Sequence, residues 1–510
     1  MNLHAGPIEL TYENGFLRTF SVNGDEVLRR IYVAFRDRNW NTARINITDE
    51  SVRSEVDSFV IDYNWQVDDF GIQMIGNVHI EGQRDGIITF DFYGKATNPF
   101  WRNRIGLCIL HPIEGLAGQP CVIENPDAQV TNAVFPDLIS PHQPFLNVQA
   151  MTWTMASGQR FRVAFDGDVF ETEDQRNWSD ASYKTYSTPL ERPLPVEIRT
   201  GTEIRQRVMF QPIIMQSYPS PGSGRTQTLR QTEQEQPLEN TSIRIGLGHR
   251  PDGPPLSQNE VDLLKTLDLS HLRADVYLSN ADWQNGLLAA LHDANQLNVP
   301  LELALFFGED PPAQGHPFIQ FAQSRNLPVY SLLLFRVDTL TTTDTLLNQV
   351  VPMFRAQMPG VLLGGGTDGN FSDLNRNRFD FGQVDLVTYS INPQVHAFDN
   401  QTLMENVAGQ ADTVRSARVL SGGKPVHISP VTLLPRPNPV VESVSNIVRP
   451  IPPADPRLLT EFGAEWTRQS LQTLIRAGAA SVTYYETHGP RGLVIGEEVL
   501  PVMAVLKRTH

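Results

Sequence analysis

Only two cysteines, Cys108 and Cys121, occur in 510 residues. Disulfides are therefore not the stabilising device, and two free thiols are expected. No apolar run reaches the roughly 18–20 residues that a membrane-spanning helix needs. The first residues, Met1-Asn2-Leu3-His4-Ala5-Gly6-Pro7, lack the basic start and apolar stretch of a secretory signal. A cytoplasmic location with no membrane partner is expected. Positive charge is scarce: 41 Lys and Arg face 57 Asp and Glu, a formal net charge of −16. That balance argues against nucleic acid and anionic lipid, which need a cationic surplus. A local Arg or Lys can still hold an anionic product.

Familiar catalytic signatures are also missing. There is no Walker-type phosphate loop, no His-Glu-x-x-His helix, no cysteine pair at zinc spacing and no Gly-x-Ser-x-Gly elbow. Gly246-Leu247-Gly248-His249-Arg250 lacks the third glycine and the helix start of a dinucleotide fingerprint. Nothing here requires a cofactor. A divalent metal would have to draw on His249, Asp368, His396 and Glu486, and their spacing leaves that open.

What is present suits a multidomain globular protein, with 40% hydrophobic and 19% charged residues in a chain too long for one core. Residues 1–215 read as β structure. Ile8–Tyr12 and Phe16–Val22 alternate around Asn14-Gly15, a hairpin signal, and many short strand patterns follow without a long helical one. An antiparallel β-sandwich is expected. Residues 216–241 are rich in Pro, Gly, Ser, Gln and Glu and read as a linker. From 242 to 510 the rhythm becomes strand then helix. Eight candidate strands begin at Ile243, His271, Leu301, Val329, Val361, Leu386, Val426 and Ser481. Eight such units over roughly 265 residues match a closed (β/α)8 TIM barrel. A doubly wound sheet is the weaker alternative.

In such a barrel the working groups lie just past the C-terminal ends of the strands. That rule selects His249, Asp368, Asn370, Asn392, His396 and Glu486. A helix cap is the plain alternative for Asp368, and an ion pair to Arg491 for Glu486. Glu302, inside a strand, reads as a buried paired carboxylate. Phe170–Tyr186 packs four carboxylates, Arg176, Lys184 and several aromatic rings into 17 positions. Neither helical nor strand periodicity explains that mixture, so it is expected to be a polar-ligand site. From it come Glu173 as a catalytic candidate and Asp174, Arg176, Asn177, Trp178 and Lys184 as binding candidates. An ion-paired turn is the alternative. His111 and Glu114 either lean toward this segment or only fix a loop.

Several stretches together resemble the D-apionate lactonase family. They are His111-Pro112-Ile113-Glu114-Gly115-Leu116-Ala117-Gly118, Phe135-Pro136-Asp137-Leu138-Ile139-Ser140-Pro141, the 170–186 segment, Ser390-Ile391-Asn392-Pro393-Gln394-Val395-His396-Ala397-Phe398-Asp399 and Tyr484-Tyr485-Glu486-Thr487. The resemblance implies an N-terminal β domain, a TIM barrel and a small C-terminal β domain. Only 24 residues follow Glu486 in this sequence, so the last of these is expected to be missing. It also implies ring-opening hydrolysis of a sugar-acid lactone, D-apionolactone, in sugar catabolism. That chemistry needs a base for water, an acid for the leaving alkoxide and a cation at the oxyanion. Glu486 or Asp368 is expected as base, His396 as acid, and Arg176 or Lys184 as electrophile. A glycoside hydrolase using Glu173, Asp368 and Glu486 is the alternative, and a non-catalytic carbohydrate-binding protein is a third reading. The partner expected throughout is a small sugar or sugar lactone. A homo-oligomer stays open, because the 170–186 segment could complete a site in a neighbouring copy.

Overall fold

The computed structural model describes residues 1–213, 243–435 and 453–507. The chain divides into two compact units. One holds Met1–Gln175 and the chain resuming at Ser182; the other holds Arg176–Ala181 together with the barrel. The expected linker, 216–241, lies outside the described residues.

The first unit is an antiparallel β-sandwich of two nine-stranded sheets. The hairpin Ile8–Glu13 and Phe16–Val22 forms as the Asn-Gly signal requires, with Asn14 at φ 50° and Gly15 at φ 84°. Inward side chains of both sheets make one core, where Phe35 from one sheet meets Trp65 and Phe92 from the other at 5.1 and 6.1 Å between ring centroids. Cys108 and Cys121 are buried, unbridged thiols.

Two elements here depart from the sequence reading. Asp25–Asp37 is a 13-residue strand paired with Phe100–Pro112. Its Arg and Asp residues hide the alternation of Ile31, Val33 and Phe35 toward the core. The 170–186 segment is not an irregular ligand loop. It is two strands, Phe170–Asp174 and Ser182–Tyr186, joined across a 3-10 turn at Gln175–Trp178. Both strands are buried on both faces, and the charges are tolerated because they are paired. Glu173 stands opposite Lys184 in register and accepts its Nζ at 3.0 Å, and Tyr186 donates to Glu171.

The second unit is a (β/α)8 barrel. Its strands are β1 (Arg244–Gly248), β2 (His271–Tyr277), β3 (Leu301–Phe307), β4 (Val329–Arg336), β5 (Leu362–Gly366), β6 (Leu386–Ile391), β7 (Val426–Val431) and β8 (Ser481–His488). All neighbours are parallel, and β1 pairs with β8 to close the ring. Helix Gln258–Leu264 starts on a full capping box, Ser257 and Glu260. The last helix described, Pro501–Leu506, ends with its apolar run, before Lys507.

The barrel interior is divided. On β3, β4 and β6 it is apolar, built from Ala304, Phe306, Leu333, Phe335 and Leu386 with Leu340 after β4. On β2, β7 and β8 it is polar. Glu302 of β3 reaches into that half, accepting hydrogen bonds from Ser429 Oγ at 2.5 Å and Ser331 Oγ at 3.2 Å, with His427 Nδ1 at 3.2 Å. Burial opposes its charge, but His271, His427 and Ser429 outweigh it and hold the carboxyl well below the usual range. His271 is pushed down to about 4, by burial first.

Candidate active site

Strand β8 ends with a break in alternation. Thr483 meets His271 Nε2 inside the barrel at 2.8 Å. Tyr484 and Tyr485 both turn outward, to Ser470 at 2.9 Å and Thr467 at 2.6 Å on helix Glu461–Arg476. Two successive outward residues require a bulge, and Tyr485 supplies it at φ 47°, where the β1 register shifts. The bulge returns Glu486 to the inward side. A bulky residue held at positive φ stores strain, a mark of sites where surroundings fix a side chain for use. Glu486 accepts Arg491 Nε at 2.8 Å, and Arg491 also binds Asp252 at 2.5 Å. The expected ion pair to Arg491 is therefore present. The Glu486 side chain keeps 16% exposure.

The loop after β6 carries His396. Gln394 anchors that loop by donating to Leu433 O and Asp455 Oδ2, each at 2.6 Å. His396 Nδ1 pairs with Asp180, and its ring meets Trp178 edge-on at 5.1 Å and 86°. Arg376 lies over the Trp178 ring at 5.0 Å. Trp178 and Asp180 belong to Arg176–Ala181, the six residues that group with the barrel. Arg176 in that stretch is fully buried and ion-paired to Asp412 at 3.2 Å, and Asn177 accepts from Asn375 at 3.0 Å. The His396 side chain keeps 17% exposure.

Asp368 follows β5, fully buried, and is clamped by Arg273 Nη2 at 2.5 Å. Arg273 also binds Asp275 at 2.9 Å and donates to Ser429 Oγ at 3.0 Å, which ties it to the Glu302 network. Asp368 is thus sealed from solvent and tied to the polar half of the interior. Asn392 donates to Asn370 at 3.0 Å, so these two amides do come together. His249 is turned to Asp293 at 3.1 Å, under the helix Trp283–Leu297.

Glu173, Asp174 and Lys184 lie in the sandwich unit. Glu173 and Lys184 are spent on each other, and Asp174 accepts Ser140 N–H at 3.0 Å. Arg176 and Lys184, the two expected electrophiles, are both buried and ion-paired. His111 does lean toward the segment, with Nε2 2.9 Å from Thr185 Oγ1. Burial pushes it down to about 3, so it is a neutral core residue. Glu114 is exposed in the following turn.

One group went unnoticed in the sequence. Asp373, in the first turn of the helix Phe371–Arg376 after β5, is pushed up to about 6 by burial against the opposing pull of Arg376. A carboxyl titrating near neutrality is suited to proton transfer. Its signal was available, since it lies in the β5 loop already singled out. Asp180 lies in the 170–186 segment already expected to be a site, but nothing in the sequence places it beside His396, 216 residues further on. Among the described residues, no three His, Cys, Asp or Glu side chains gather to hold an ion, and no helix is long and apolar enough to cross a membrane.

Comparison with known proteins completes the picture. Residues 1–213 match the D-apionate lactonase N-terminal domain, and residues 245–510 match the D-apionate lactonase TIM barrel domain. A D-apionate lactonase from Brucella anthropi is 31% identical over 97% of this chain and 84% of its own length. Among solved structures, a beta-arabinopyranosidase aligns over 81% of this chain and 73% of its own at 10% identity and TM-score 0.30. An endo-beta-1,4-mannanase from Thermotoga petrophila aligns over 52% and 75% at 11% identity and TM-score 0.36. Scores of that size carry no functional argument. The two domain matches and the end-to-end relative establish that this chain, a hydrolase, belongs to the D-apionate lactonase family.

Proposed function

We propose that this protein opens the ring of a sugar-acid lactone, with D-apionolactone hydrolysed to D-apionate as the first substrate to try. The reading is supported by the name of the Brucella anthropi relative. The observation that carries it is two partly exposed proton-handling groups on the loops that follow barrel strands: Glu486, just past the Tyr485 bulge of β8, and His396 beside Trp178 after β6. Glu486 takes a proton from the attacking water. His396 gives one to the ring oxygen as the acyl C–O bond breaks. Trp178 offers a flat face to the sugar carbons, and the Asn370–Asn392 amides offer hydrogen bonds to its hydroxyls. Arg376, which lies over the Trp178 ring, supplies positive charge for the tetrahedral oxyanion.

The glycosidase alternative is weaker. It needs two accessible carboxyls facing across a cleft, and Asp368 is fully buried against Arg273.

Proton release at constant pH, with a panel of four- to six-carbon aldonolactones, tests the reading. Enzyme-dependent acid release with the apionic lactone is expected, falling by about 10²–10⁴ in Glu486→Gln, the range for loss of a positioned acid or base. No release with any lactone sinks the proposal, and full activity in Glu486→Gln removes the base assignment.

A further inference from the structure

A histidine transfers protons in a defined direction only when one tautomer is held, and an isolated imidazole on a loop holds neither. We propose that Asp180 is the positioning residue for His396. It accepts the Nδ1 proton, sets the ring's orientation and makes Nε2 the nitrogen that trades a proton with the reacting group. The proposal deepens the lactonase reading and rests on His396 acting in it. In the ring-opening step, Nε2–H of the imidazolium transfers its proton to the leaving oxygen as the acyl C–O bond breaks. The imidazole becomes neutral, and Asp180 stays ionised.

The construction around Asp180 is specific to that task. Its side chain is buried, and its Oδ1 accepts Asn406 Nδ2 at 2.6 Å. Asn406 Oδ1 in turn accepts Ala181 N–H at 3.1 Å. The carboxylate is therefore locked from behind while Oδ2 faces His396, the arrangement by which an outer partner fixes a working imidazole. Trp178 restrains the same ring from a second direction.

The backbone is bent to deliver the carboxylate. Ser179 sits at φ 68°, a left-handed conformation that persists only where the surroundings over-determine it. The Ser179–Asp180 peptide rests in a notch at Gly409, where a Cβ would come within 2.8 Å of the Ser179 carbonyl oxygen and 2.9 Å of the Asp180 carbonyl carbon. Arg176 to Asp412 and Asn177 to Asn375 pin the rest of the segment. Asp180 lies outside every motif that the barrel rule selects, because it comes from six residues between two sandwich strands.

Asp180→Asn, His396→Asn, the double variant and Gly409→Ala test the idea on the full-length protein. Readouts are kcat and KM, thermal melting, and the His396 tautomer from 15N–1H NMR correlations. An asparagine amide facing Nδ1 drives the proton to Nε2. Asp180→Asn is therefore expected to lower kcat by about 10²–10⁴ with KM within a few-fold, to switch the tautomer, and to melt close to wild type. In the His396→Asn background it adds no further loss, which a merely structural role would not produce. Gly409→Ala moves the tautomer and kcat in the same direction. Wild-type kcat in Asp180→Asn beside an inactive His396→Asn overturns this proposal alone. An active His396→Asn overturns the assignment beneath it. Should Asp180→Asn fail to fold, a folded Gly409→Ala with unchanged kcat and tautomer overturns the proposal.

Discussion

Asp373 shows how a single buried side chain can oppose stability. Its carboxyl is held up at about 6, chiefly by burial, from an ordinary value of 3.8. The folded state thus binds this proton more tightly than the unfolded chain does. As pH rises from 3.8 through about 6, the unfolded carboxyl ionises first and stability falls. Above that window the full cost is present, on the order of 3 kcal/mol for a displacement of this size. Asp373→Asn keeps the shape and removes the charge. Urea denaturation at pH 7.5 is expected to show the variant more stable by about 1–3 kcal/mol, with most of the gain gone at pH 4. Equal differences at both pH values would contradict the assignment. A gain in stability accompanied by a loss of lactone turnover would mark Asp373 as a working group, because strained or destabilising residues are retained where function needs them.

At the scale of elements, Gly246 on β1 shows why one position in a barrel strand must lack a side chain. A Cβ there would overlap the His271 ring, which crosses to Thr483 on β8. Gly246→Ala must push the imidazole away, breaking that bond and loosening the Glu302 network. A cost of about 1–3 kcal/mol is expected, typical of overpacking a filled interior, read as a lower urea midpoint with unchanged slope. An unchanged midpoint would show that the ring moves freely. The eight barrel strands themselves were legible, because buried parallel strands are short, largely apolar runs between helical stretches; Leu301–Phe307 is a plain example. The sandwich hairpin at Asn14-Gly15 was legible through its turn chemistry. Asp25–Asp37 was not, because its Arg and Asp residues mask the apolar alternation, and the 170–186 strands were not, because their burial depends on cross-strand charge pairing. Glu173 declares itself a core residue only once Lys184 is known to stand opposite it. The site was legible in part for the same reason. Strand ends pointed to Glu486 and His396, while Asp180 comes from a distant stretch of sequence and Asp368 is sealed by Arg273 on β2, three strands earlier in the chain.

For the molecule as a whole, acid is expected to be the weak side, and buried histidines are the reason. His111 in the sandwich is pushed down to about 3 and His271 in the barrel to about 4, burial leading in both. A depressed histidine stays neutral in the folded state while the unfolded chain takes up a proton. Stability is therefore full above the ordinary value of 6.5 and is lost as pH falls toward the folded values. At pH 5 each contributes a loss of about 2 kcal/mol. Two other effects are smaller over that span. Glu302, held low, gives up its contribution only below its ordinary 4.5. The net charge of −16 repels itself less as acid is added, but exposed charges are screened within about 8 Å at physiological salt. His111→Phe separates the terms. Phenylalanine fills the space between Phe135 and Trp153 and cannot protonate, at the cost of the bond to Thr185. Protonation of Asp373 returns about 1–2 kcal/mol over the same span, so urea unfolding free energies measured from pH 8 to pH 5 should fall by about 3 kcal/mol in the native protein and by about 1 kcal/mol in His111→Phe. An identical fall in both would mean that His111 is not the titrating core group and that acid acts through the barrel alone.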